Sequence, residues 1–388
     1  MDWHMRICLV TICFQQDRNC KIMKVMAVFG TRPEAIKMCP VIRELKRQPN
    51  ISCKVCLTGQ HEEMLNQVME SFHIDADYNL HVMTQGQTLA LVSGKIMEKL
   101  TRVYNTERPD IVLVHGDTTS SYIAALCAFY LHIPVGHVEA GLRTYNMQSP
   151  FPEEFNRRSI DLIAEIYFAP TELAKKNLLA ENVDEQKIFV TGNTAIDALG
   201  MTIKGSYSNE DLEWASGSRM LLMTAHRREN IGEPMVRMFG AVRKIVDEYK
   251  DVKVIYPVHK NPEVRKIADD VLGGCERIRM IEPLDVIDFH NYMKHSYLIL
   301  TDSGGIQEEA PSLGIPVLVM RDATERPEGV EAGTLKIVGT KEKSIKNAVQ
   351  KLLDDKSEYD KMSNAVNPYG DGHASERIVR ILTERFGD

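Results

Sequence analysis

The chain has 388 residues, which exceeds the usual size of one domain and favours two, each with its own buried core. Its formal net charge of −7, with no block of Lys or Arg to offset it, argues against nucleic acid as a partner. An anionic ligand would therefore have to be bound by local clusters of basic residues.

Residues 1–22 contain an apolar run from Ile7 to Phe14, which is too short to span a membrane. A secretory signal would need a basic start and a small-residue cleavage site, and this segment supplies neither well. We expect residues 1–22 to be an N-terminal extension that arises from a misassigned start, with Met23 as the natural first residue. No other segment approaches the length and apolarity of a membrane span.

From Met23 onward, short β-branched runs alternate with segments of helical period, a pattern typical of parallel sheets built from βαβ units. The pattern restarts once, which predicts an α/β protein with two parallel sheets. Strands are predicted at 24–29, 52–58, 111–115, 134–138, 166–169 and 187–191, then at 219–224, 252–258, 277–281, 297–301, 316–319 and 335–338. Helices are predicted at 34–47, 61–72, 87–106, 118–131, 153–165 and 171–180, then at 233–248, 262–270, 285–294, 305–313, 341–354 and 376–386.

The segment from Gly192 to Gly217 has little β-branched content and predicts a domain boundary within 192–215. We therefore expect a first domain over 23–192 and a second over 193–371. The last helix, within 372–388, follows a turn-rich crossing and is expected to pack back on the first domain.

The eight cysteines are scattered, and no pair of Cys-x-x-Cys units has the spacing of a zinc site. We expect cytosolic free thiols and no metal. Cys53 and Cys56 form one Cys-x-x-Cys within a predicted strand, where their odd separation sends the side chains to opposite faces. This argues against a redox pair.

The loop after the first predicted strand, Gly30-Thr31-Arg32-Pro33-Glu34, leads into a helix that carries Lys37. Glycine permits the turn, Pro33 suits the first helical position, and Arg32 and Lys37 bring two cations to the carboxyl end of the strand. The loop lacks the G-x-G-x-x-G spacing of a dinucleotide site, so we expect no nicotinamide cofactor. By itself the loop is also compatible with ordinary solvated charge.

The stretch Asp302-Ser303-Gly304-Gly305-Ile306-Gln307-Glu308-Glu309 follows a short apolar strand and begins a predicted helix. Two glycines let a phosphate approach the backbone, the first N–H groups of the helix favour its charge, and a glutamate one turn later can bind a ribose diol. Plain turn chemistry and dipole matching by the glutamates remain an alternative. The pattern indicates a place to hold a nucleotide.

Polar residues also follow the other predicted strands, at the sheet edge where ligands bind in open α/β proteins. The segments are His115-Gly116-Asp117-Thr118, His137-Val138-Glu139, His226-Arg227-Arg228-Glu229-Asn230 and the helix start at Glu153-Glu154. Each has a structural alternative: Asp117 as a helix N-cap, Glu153 as a dipole partner, and Glu139 in a salt bridge with Arg143. Three carboxylates and a histidine at one edge nevertheless indicate acid/base chemistry.

Eight segments in a fixed order carry a resemblance to a known family. They are Gly30 to Lys37, Thr58 to His61, His115 to Thr118, Gly136 to Arg143, Pro152 to Glu154, His226 to Asn230, Asp302 to Glu309, and Thr324 to Glu328. Together they resemble the bacterial and archaeal non-hydrolysing UDP-N-acetylglucosamine 2-epimerases, over residues 23 to about 386.

The resemblance implies a GT-B fold, with two Rossmann-like domains and an active-site cleft between them, in a cytoplasmic homodimer. It implies reversible conversion of UDP-N-acetylglucosamine to UDP-N-acetylmannosamine, a precursor for surface polysaccharide, with no nicotinamide and no obligatory metal. The second domain would then bind UDP. No membrane or nucleic acid partner is implied.

The resemblance also implies which residues form the site. Asp117, Glu139 and Glu153 fall on the family's catalytic carboxylates, and we add His226 to this set as a stabiliser of the departing diphosphate. Asp117 and Glu139 are also expected to contact the substrate. The positions that bind the UDP portion are Arg32, Lys37, His226, Phe289, Ser303, Gly304, Gly305, Glu309 and Arg326.

One subgroup of the family binds a second substrate molecule as an activator beside the active site. The corresponding positions here are Gln60, His61, Gln87, Glu153 and Arg227. Gly86 stands where that subgroup often has a basic residue, which is a departure from the pattern.

Three other functions remain open from the sequence. A hydrolysing epimerase shares the fold and would release free N-acetylmannosamine. A GT-B glycosyltransferase that uses a UDP-sugar would need an acceptor site. A non-catalytic sensor would bind UDP but could dispense with the three carboxylates, which are all present here.

Overall fold

We describe the protein from a computed structural model over residues 22–59, 62–84, 86–324 and 326–387, with the backbone alone for 62–64. Residues 1–21 of the predicted extension lie outside these ranges. Among the described residues, no helix has both the length and the apolarity needed to cross a lipid bilayer.

The first sheet has seven parallel strands in the order β3-β2-β1-β4-β5-β6-β7. They are β1 (Met23–Phe29), β2 (Ile51–Leu57), β3 (Tyr78–Asn79), β4 (Ile111–His115), β5 (Val135–Val138), β6 (Ile166–Ala169) and β7 (Ile188–Val190). The second sheet has six parallel strands in the order β10-β9-β8-β11-β12-β13. They are β8 (Arg219–Thr224), β9 (Val252–Pro257), β10 (Ile278–Ile281), β11 (Leu298–Thr301), β12 (Val317–Val319) and β13 (Leu335–Ile337).

Helices connect the strands and cover both faces of each sheet. Those of the first half are α1 (Arg32–Arg47), α2 (Glu62–Ser71), α3 (Leu89–Glu107), α4 (Thr119–Tyr130), α5 (Glu153–Ile163), α6 (Glu172–Ala180) and α7 (Thr194–Thr202). Those of the second half are α8 (Glu210–Ala215), α9 (Glu233–Glu248), α10 (Pro262–Leu272), α11 (Val286–Lys294), α12 (Gly304–Glu309), α13 (Pro327–Glu331), α14 (Glu342–Asp354), α15 (Lys356–Ser363) and α16 (Ala374–Phe386).

Each sheet separates two apolar layers because successive strand residues point to opposite faces. In β1, Val25, Ala27 and Phe29 pack on one side, and Met26 and Val28 on the other. Cys53 and Cys56 of β2 follow the same rule, since Cys53 packs against the first layer and Cys56 lies in the second. The pair therefore points to opposite faces of the sheet, as predicted.

The segment between the two sheets differs from the prediction. The predicted domain boundary falls within 192–215, but no helix was predicted there, and α7 and α8 occupy most of these residues. Asn193 caps α7 by accepting a hydrogen bond from the Ala195 N–H at 2.9 Å. Helix α7 contacts α1 as well as α11 and α12, so a packed helix stands at the junction of the two sheets.

The C-terminal helix α16 packs against α1 and α7. Ile378 and Leu382 lie in the same apolar layer as Met38 and Leu45 of α1. The carboxylate of Asp197 accepts backbone N–H groups at the start of α16, at 2.7 and 3.2 Å. The contacts with α1 agree with a C-terminal helix that packs back on 23–192, and 23–192 with 193–371 stays our proposed division into domains.

Candidate active site

A cavity of about 590 Å³ lies where the carboxyl ends of the two sheets face each other. Residues from α1 line one side, and strand ends of the second sheet line the other. All nine residues predicted to bind UDP are in the lining: Arg32, Lys37, His226, Phe289, Ser303, Gly304, Gly305, Glu309 and Arg326.

The start of α12 meets several guanidinium groups. A methyl group built on Gly304 would lie 3.7 Å from Nη2 of Arg227 and 3.9 Å from Nη2 of Arg326. Arg32 approaches from α1, and burial lowers its pKa against the opposing effect of Asp285 and Glu309. Cations and backbone N–H groups at one place suit a phosphate.

A buried carboxylate, Asp302, orders the loop that carries His226. It accepts the N–H of His226 at 3.0 Å and of Arg227 at 2.9 Å, and the Nδ2 of Asn230 at 3.0 Å. The ring of His226 stacks on His259, with the centroids 5.6 Å apart. The sequence pointed to His226 but not to these two supports.

Lys37 links the cavity to the first predicted carboxylate. Its Nζ contacts Oε2 of Glu139 and lies 3.2 Å from Oε2 of Glu308. Burial lowers the pKa of Lys37, but the two carboxylates outweigh it and raise the pKa overall. Burial raises the pKa of Glu139, and Lys37 with His115 and Arg326 reverses this and lowers it to about 2.

The alternative in which Glu139 pairs with Arg143 is wrong. Arg143 instead lies 2.7 Å from both Asp161 and Glu181. Glu139 has a φ of 66°, in the left-handed region that costs a non-glycine residue energy. Such strain is common at functional sites, where the surrounding structure maintains it.

The second predicted carboxylate, Asp117, forms an ion pair with Arg157. It is not the N-cap of α4, because Thr118 holds that position and accepts the Ser121 N–H at 3.1 Å. Burial raises the pKa of Asp117, and Arg157 opposes this shift. Glu139 also raises the Asp117 pKa, so the two carboxylates are close in space.

The third predicted carboxylate, Glu153, begins α5. Its Oε2 is buried and has no hydrogen-bond partner among the described residues. It also raises the pKa of Asp117, so its charge acts on that carboxylate. None of the three is in the lining of the 590 Å³ cavity, to which Lys37 connects Glu139.

Comparisons with known proteins agree with this geometry. The sequence model of a family described as UDP-N-acetylglucosamine 2-epimerase matches residues 43–383. The UDP-N-acetylglucosamine 2-epimerase of Bacillus subtilis (strain 168) is 57% identical over 367 residues, which cover 95% of this chain and 97% of that protein. The chain belongs to the UDP-N-acetylglucosamine 2-epimerase family.

Solved structures from the epimerase family superpose on both sheets. A UDP-GlcNAc 2-epimerase from Neisseria meningitidis bound to UDP-GlcNAc is 48% identical, with a TM-score of 0.87 over 94% of this chain and 100% of that one. A Staphylococcus aureus MnaA–UDP co-structure is 51% identical, with a TM-score of 0.87 over 93% of this chain and 96% of that one. The predicted GT-B fold and family membership are confirmed. The chain is therefore an isomerase, because epimerases are isomerases.

Among the positions implied for a second substrate molecule in this epimerase family, Gln60 and His61 lie outside the described residues. Nε2 of Gln87, like Oε2 of Glu153, is buried with no hydrogen-bond partner in the described part of the chain. Arg227 lines the cavity and donates to the Asp302 carbonyl at 3.3 Å.

The sequence named His137 among the polar residues at the strand ends, but not its contacts: the ring lies buried between two acceptors. Its Nδ1 is 2.6 Å from Oδ1 of Asp161, and its Nε2 is 2.8 Å from the Gly116 carbonyl. Both contacts are hydrogen bonds only if each ring nitrogen carries a proton. Burial raises the pKa of Asp161, but His137 and Arg143 outweigh this effect and lower it.

We expect His137→Asn to lower kcat by roughly 10²-fold, because the loss of the Gly116 contact lets the adjacent Asp117 shift from its working position. Affinity for UDP should stay within about threefold, since His137 does not line the cavity. Steady-state kinetics and calorimetry measure the two effects, with His295→Asn as a control far from the site. A kcat within threefold of the wild type would contradict this role.

Proposed function

We propose that this chain interconverts UDP-N-acetylglucosamine and UDP-N-acetylmannosamine by inversion at carbon 2, and that the product is a precursor for surface polysaccharide. The observation that carries the proposal is the position of Lys37, which lines the cavity and contacts Glu139. One side chain therefore connects a nucleotide site with an acid/base site. The 57% identity to the Bacillus subtilis epimerase supports the same reaction.

The reaction needs both sites because the hydrogen on carbon 2 is not acidic. No carbonyl is attached to that carbon, so a lone base cannot remove the proton at a useful rate. When the bond from carbon 1 to UDP breaks, its electron pair leaves with the phosphate oxygen, and the developing positive charge acidifies the neighbouring hydrogen. Loss of that proton gives a glycal, and re-addition of UDP with protonation on the opposite face completes the inversion.

The basic residues of the cavity are proposed to stabilise the departing diphosphate. Arg32, Lys37 and His226 supply fixed positive charge or N–H donors, and the glycines at Gly304 and Gly305 leave the backbone open to a phosphate. Donors fixed in place before the reaction need no reorganisation when charge develops.

The environments of two carboxylates suggest how they divide the proton transfers. Lys37 keeps Glu139 ionised by lowering its pKa, whereas burial raises the pKa of Asp117. Titratable groups whose surroundings push their pKa values apart commonly act as a base and an acid. We propose that Glu139 takes the carbon-2 proton and Asp117 returns one, with reversed roles in the opposite direction.

The test is incubation with UDP-N-acetylglucosamine in deuterated water. The proposal predicts UDP-N-acetylmannosamine with deuterium at carbon 2, detected by mass spectrometry and NMR. Free N-acetylmannosamine with UDP would favour the hydrolysing alternative, in which water reaches the glycal. Transfer of sugar to an acceptor would favour a glycosyltransferase, and binding without any product would favour a sensor.

A second substrate molecule is proposed to bind at Gln60, His61, Gln87, Glu153 and Arg227. Turnover that starts from UDP-N-acetylmannosamine alone tests this regulation, because an enzyme that requires the activator would not begin. We also propose a cytoplasmic location, which agrees with the five described cysteines being free thiols.

We propose that the chain forms a homodimer through helices α3, α4 and α5, which cover one face of the first sheet. Their outer surface carries Leu91, Phe129, Tyr130, Phe155 and Leu162, the last of which is 85% exposed. Because α3 contacts α4 and α4 contacts α5, these exposed apolar residues lie on neighbouring helices, which is typical of a protein interface.

Leu162→Arg is expected to lower the mass in light scattering from that of two 44.0 kDa chains to that of one, because a charge at an apolar interface must be desolvated. The matched control is Val366→Arg, which changes an apolar residue that is 82% exposed outside these helices. An unchanged mass for Leu162→Arg would reject this interface.

A further inference from the structure

Glu308 is a buried carboxylate to which neither the sequence nor the proposed mechanism gave a role. Its side chain is 2% exposed and lies outside the lining of the nucleotide cavity. It contacts Nε of Arg326, Nζ of Lys37 at 3.2 Å and Nδ2 of Asn193 at 3.0 Å. Two of these partners, Lys37 and Arg326, line the cavity from opposite sides of the domain junction.

Glu308 shares its donors with Glu139. Lys37 contacts Oε2 of both carboxylates, and Asn193 donates to the same two oxygens, at 3.2 Å for Glu139 and 3.0 Å for Glu308. An ammonium group has three N–H donors, so one lysine can serve both acceptors. Glu308, which follows a strand of the second sheet, thereby competes with Glu139 for the positive charge of Lys37.

This competition matters for proton transfer. A carboxylate that holds a lysine by itself is a weak base, because protonation must overcome the whole attraction of the cation. A second carboxylate on the same lysine weakens that attraction. A diphosphate in the cavity would add a third anion beside Lys37 and act in the same direction.

We propose that Glu308 is a positioning residue, which shares Lys37 with Glu139, weakens the hold of that cation on Glu139 and so keeps Glu139 able to accept the carbon-2 proton. The inference rests on the proposed function and extends it to a residue of the second domain. It assigns Glu308 no contact with the substrate. Its effect passes through the cations that it contacts, Lys37 first and Arg326 second, both of which also lower the pKa of Glu139.

The test is Glu308→Gln, which keeps the shape of the side chain but removes its charge. Lys37 then keeps Glu139 as its carboxylate partner and makes Glu139 a weaker base. We therefore expect kcat to fall by at least tenfold. The acid limb of the kcat–pH profile should move to lower pH. The affinity for UDP should be equal or greater, because the cavity gains net positive charge.

The shift of the acid limb can be interpreted because the charged groups that face Glu139 are known. They are Lys37 from α1, His115 at the end of β4, Asp117 in the next loop, and Arg326 from the second domain. The Nε2 of His115 is 3.8 Å from Glu139, and burial lowers the pKa of His115 to about 4. Lys37 and Arg326 keep their charge through this range, so a displaced acid limb reports on the carboxylates together with His115, whose pKa of about 4 falls within the limb.

Glu328→Gln is the matched control. Glu328 also belongs to the second domain and accepts a hydrogen bond across the junction, from Oγ1 of Thr171 at 2.9 Å, whereas the ion pairs of Lys37 within the described residues are with Glu139 and Glu308. We expect its kcat and pH profile to stay within twofold of the wild type. Glu308→Asp, which retains the charge, should recover most of the turnover.

The outcomes separate this inference from the proposed function. Three results in Glu308→Gln together support it: a lower kcat, an acid limb of the kcat–pH profile at lower pH, and an undiminished affinity for UDP. A kcat within threefold of the wild type, or losses of UDP affinity and kcat in parallel, would overturn it. If Glu308→Gln does not fold, wild-type kcat and acid limb in Glu308→Asp support it, and weakened UDP binding there overturns it. A wild type that makes no UDP-N-acetylmannosamine would instead reject the proposed function.

Discussion

Asp117→Asn is expected to lower kcat by roughly 10²–10⁴-fold, the usual contribution of a general acid or base. Asparagine keeps the size of the side chain but cannot exchange a proton at neutral pH. UDP should bind with near wild-type affinity, because Asp117 is not in the lining of the nucleotide cavity. Glu139→Gln should have an effect of the same order for the same reason.

The contacts of Asp117 define the control for this experiment. Its carboxylate pairs with Arg157, which also lies 3.3 Å from Glu154 and so retains a counter-ion in the variant. Glu181→Gln removes a comparable partner from Arg143, which keeps Asp161 at 2.7 Å. We expect Glu181→Gln to remain within twofold of the wild type in kcat.

Rapid-quench kinetics and calorimetry with UDP measure the two quantities separately. Loss of turnover with intact UDP binding supports a role in the chemical step. Near-normal turnover in both Asp117→Asn and Glu139→Gln would reject these carboxylates as the acid/base pair. Equal loss of binding and turnover would indicate that the cleft has been disturbed.

The regular part of the fold was accessible from the sequence because strands buried on both faces are nearly continuous apolar runs. Ile111–His115 and Arg219–Thr224 have the predicted bounds. Elements that depend on tertiary contacts were missed. Strand β3 has two residues and exists through pairing with Cys56 and Leu57, and α7 contains Gly200, which disfavours helix without its buried partners.

Short helices were missed or extended for local reasons. We predicted one helix over 305–313, but α12 ends at Glu309 and a 3₁₀ turn continues from Ala310 to Leu313. Pro311 has no N–H for a helical hydrogen bond, and Gly314 ends the turn in the left-handed conformation. Helices α13 and α15 were not predicted.

The candidate site was partly accessible because polar residues after parallel strands gather at one edge. This rule identified His115, Asp117, Glu139 and His226 from the order of strands alone. It could not identify Glu308 or Asn193, whose contacts form only where the two sheets meet. Glu308 and Glu309 are adjacent in sequence, and only their positions on α12 show that Glu309 lines the cavity while Glu308 faces Lys37.

Lys37→Met is expected to destabilise the fold as well as the reaction. It removes the cation between two buried carboxylates, and loss of one partner from a buried ion pair typically costs about 3–5 kcal/mol. We expect this loss in the free energy of unfolding at pH 7, with kcat reduced strongly because the diphosphate loses a cation. The exposed pair Lys356–Asp360 provides the control, and Lys356→Met should change stability little.

The stability loss in Lys37→Met should depend on pH because Lys37 determines the pKa of Glu139. In the wild type the folded-state pKa of Glu139 is about 2, below its ordinary value of 4.5. Its ionised form therefore stabilises the fold above pH 4.5, and that contribution is lost as the pH falls towards 2. Without Lys37, burial acts on Glu139 with less opposition and raises its pKa, so the ionised form is unfavourable at pH 7.

The stability difference between wild type and Lys37→Met should therefore be largest near pH 7 and shrink as the pH falls below 4.5. Urea unfolding at pH 7 and pH 4 measures it, with Lys356→Met in parallel. A difference that stays constant with pH would show that Lys37 stabilises the fold through its aliphatic stem rather than through its charge. In that case the shared-cation account of Glu139 and Glu308 would fail as well, because both depend on the same ammonium group.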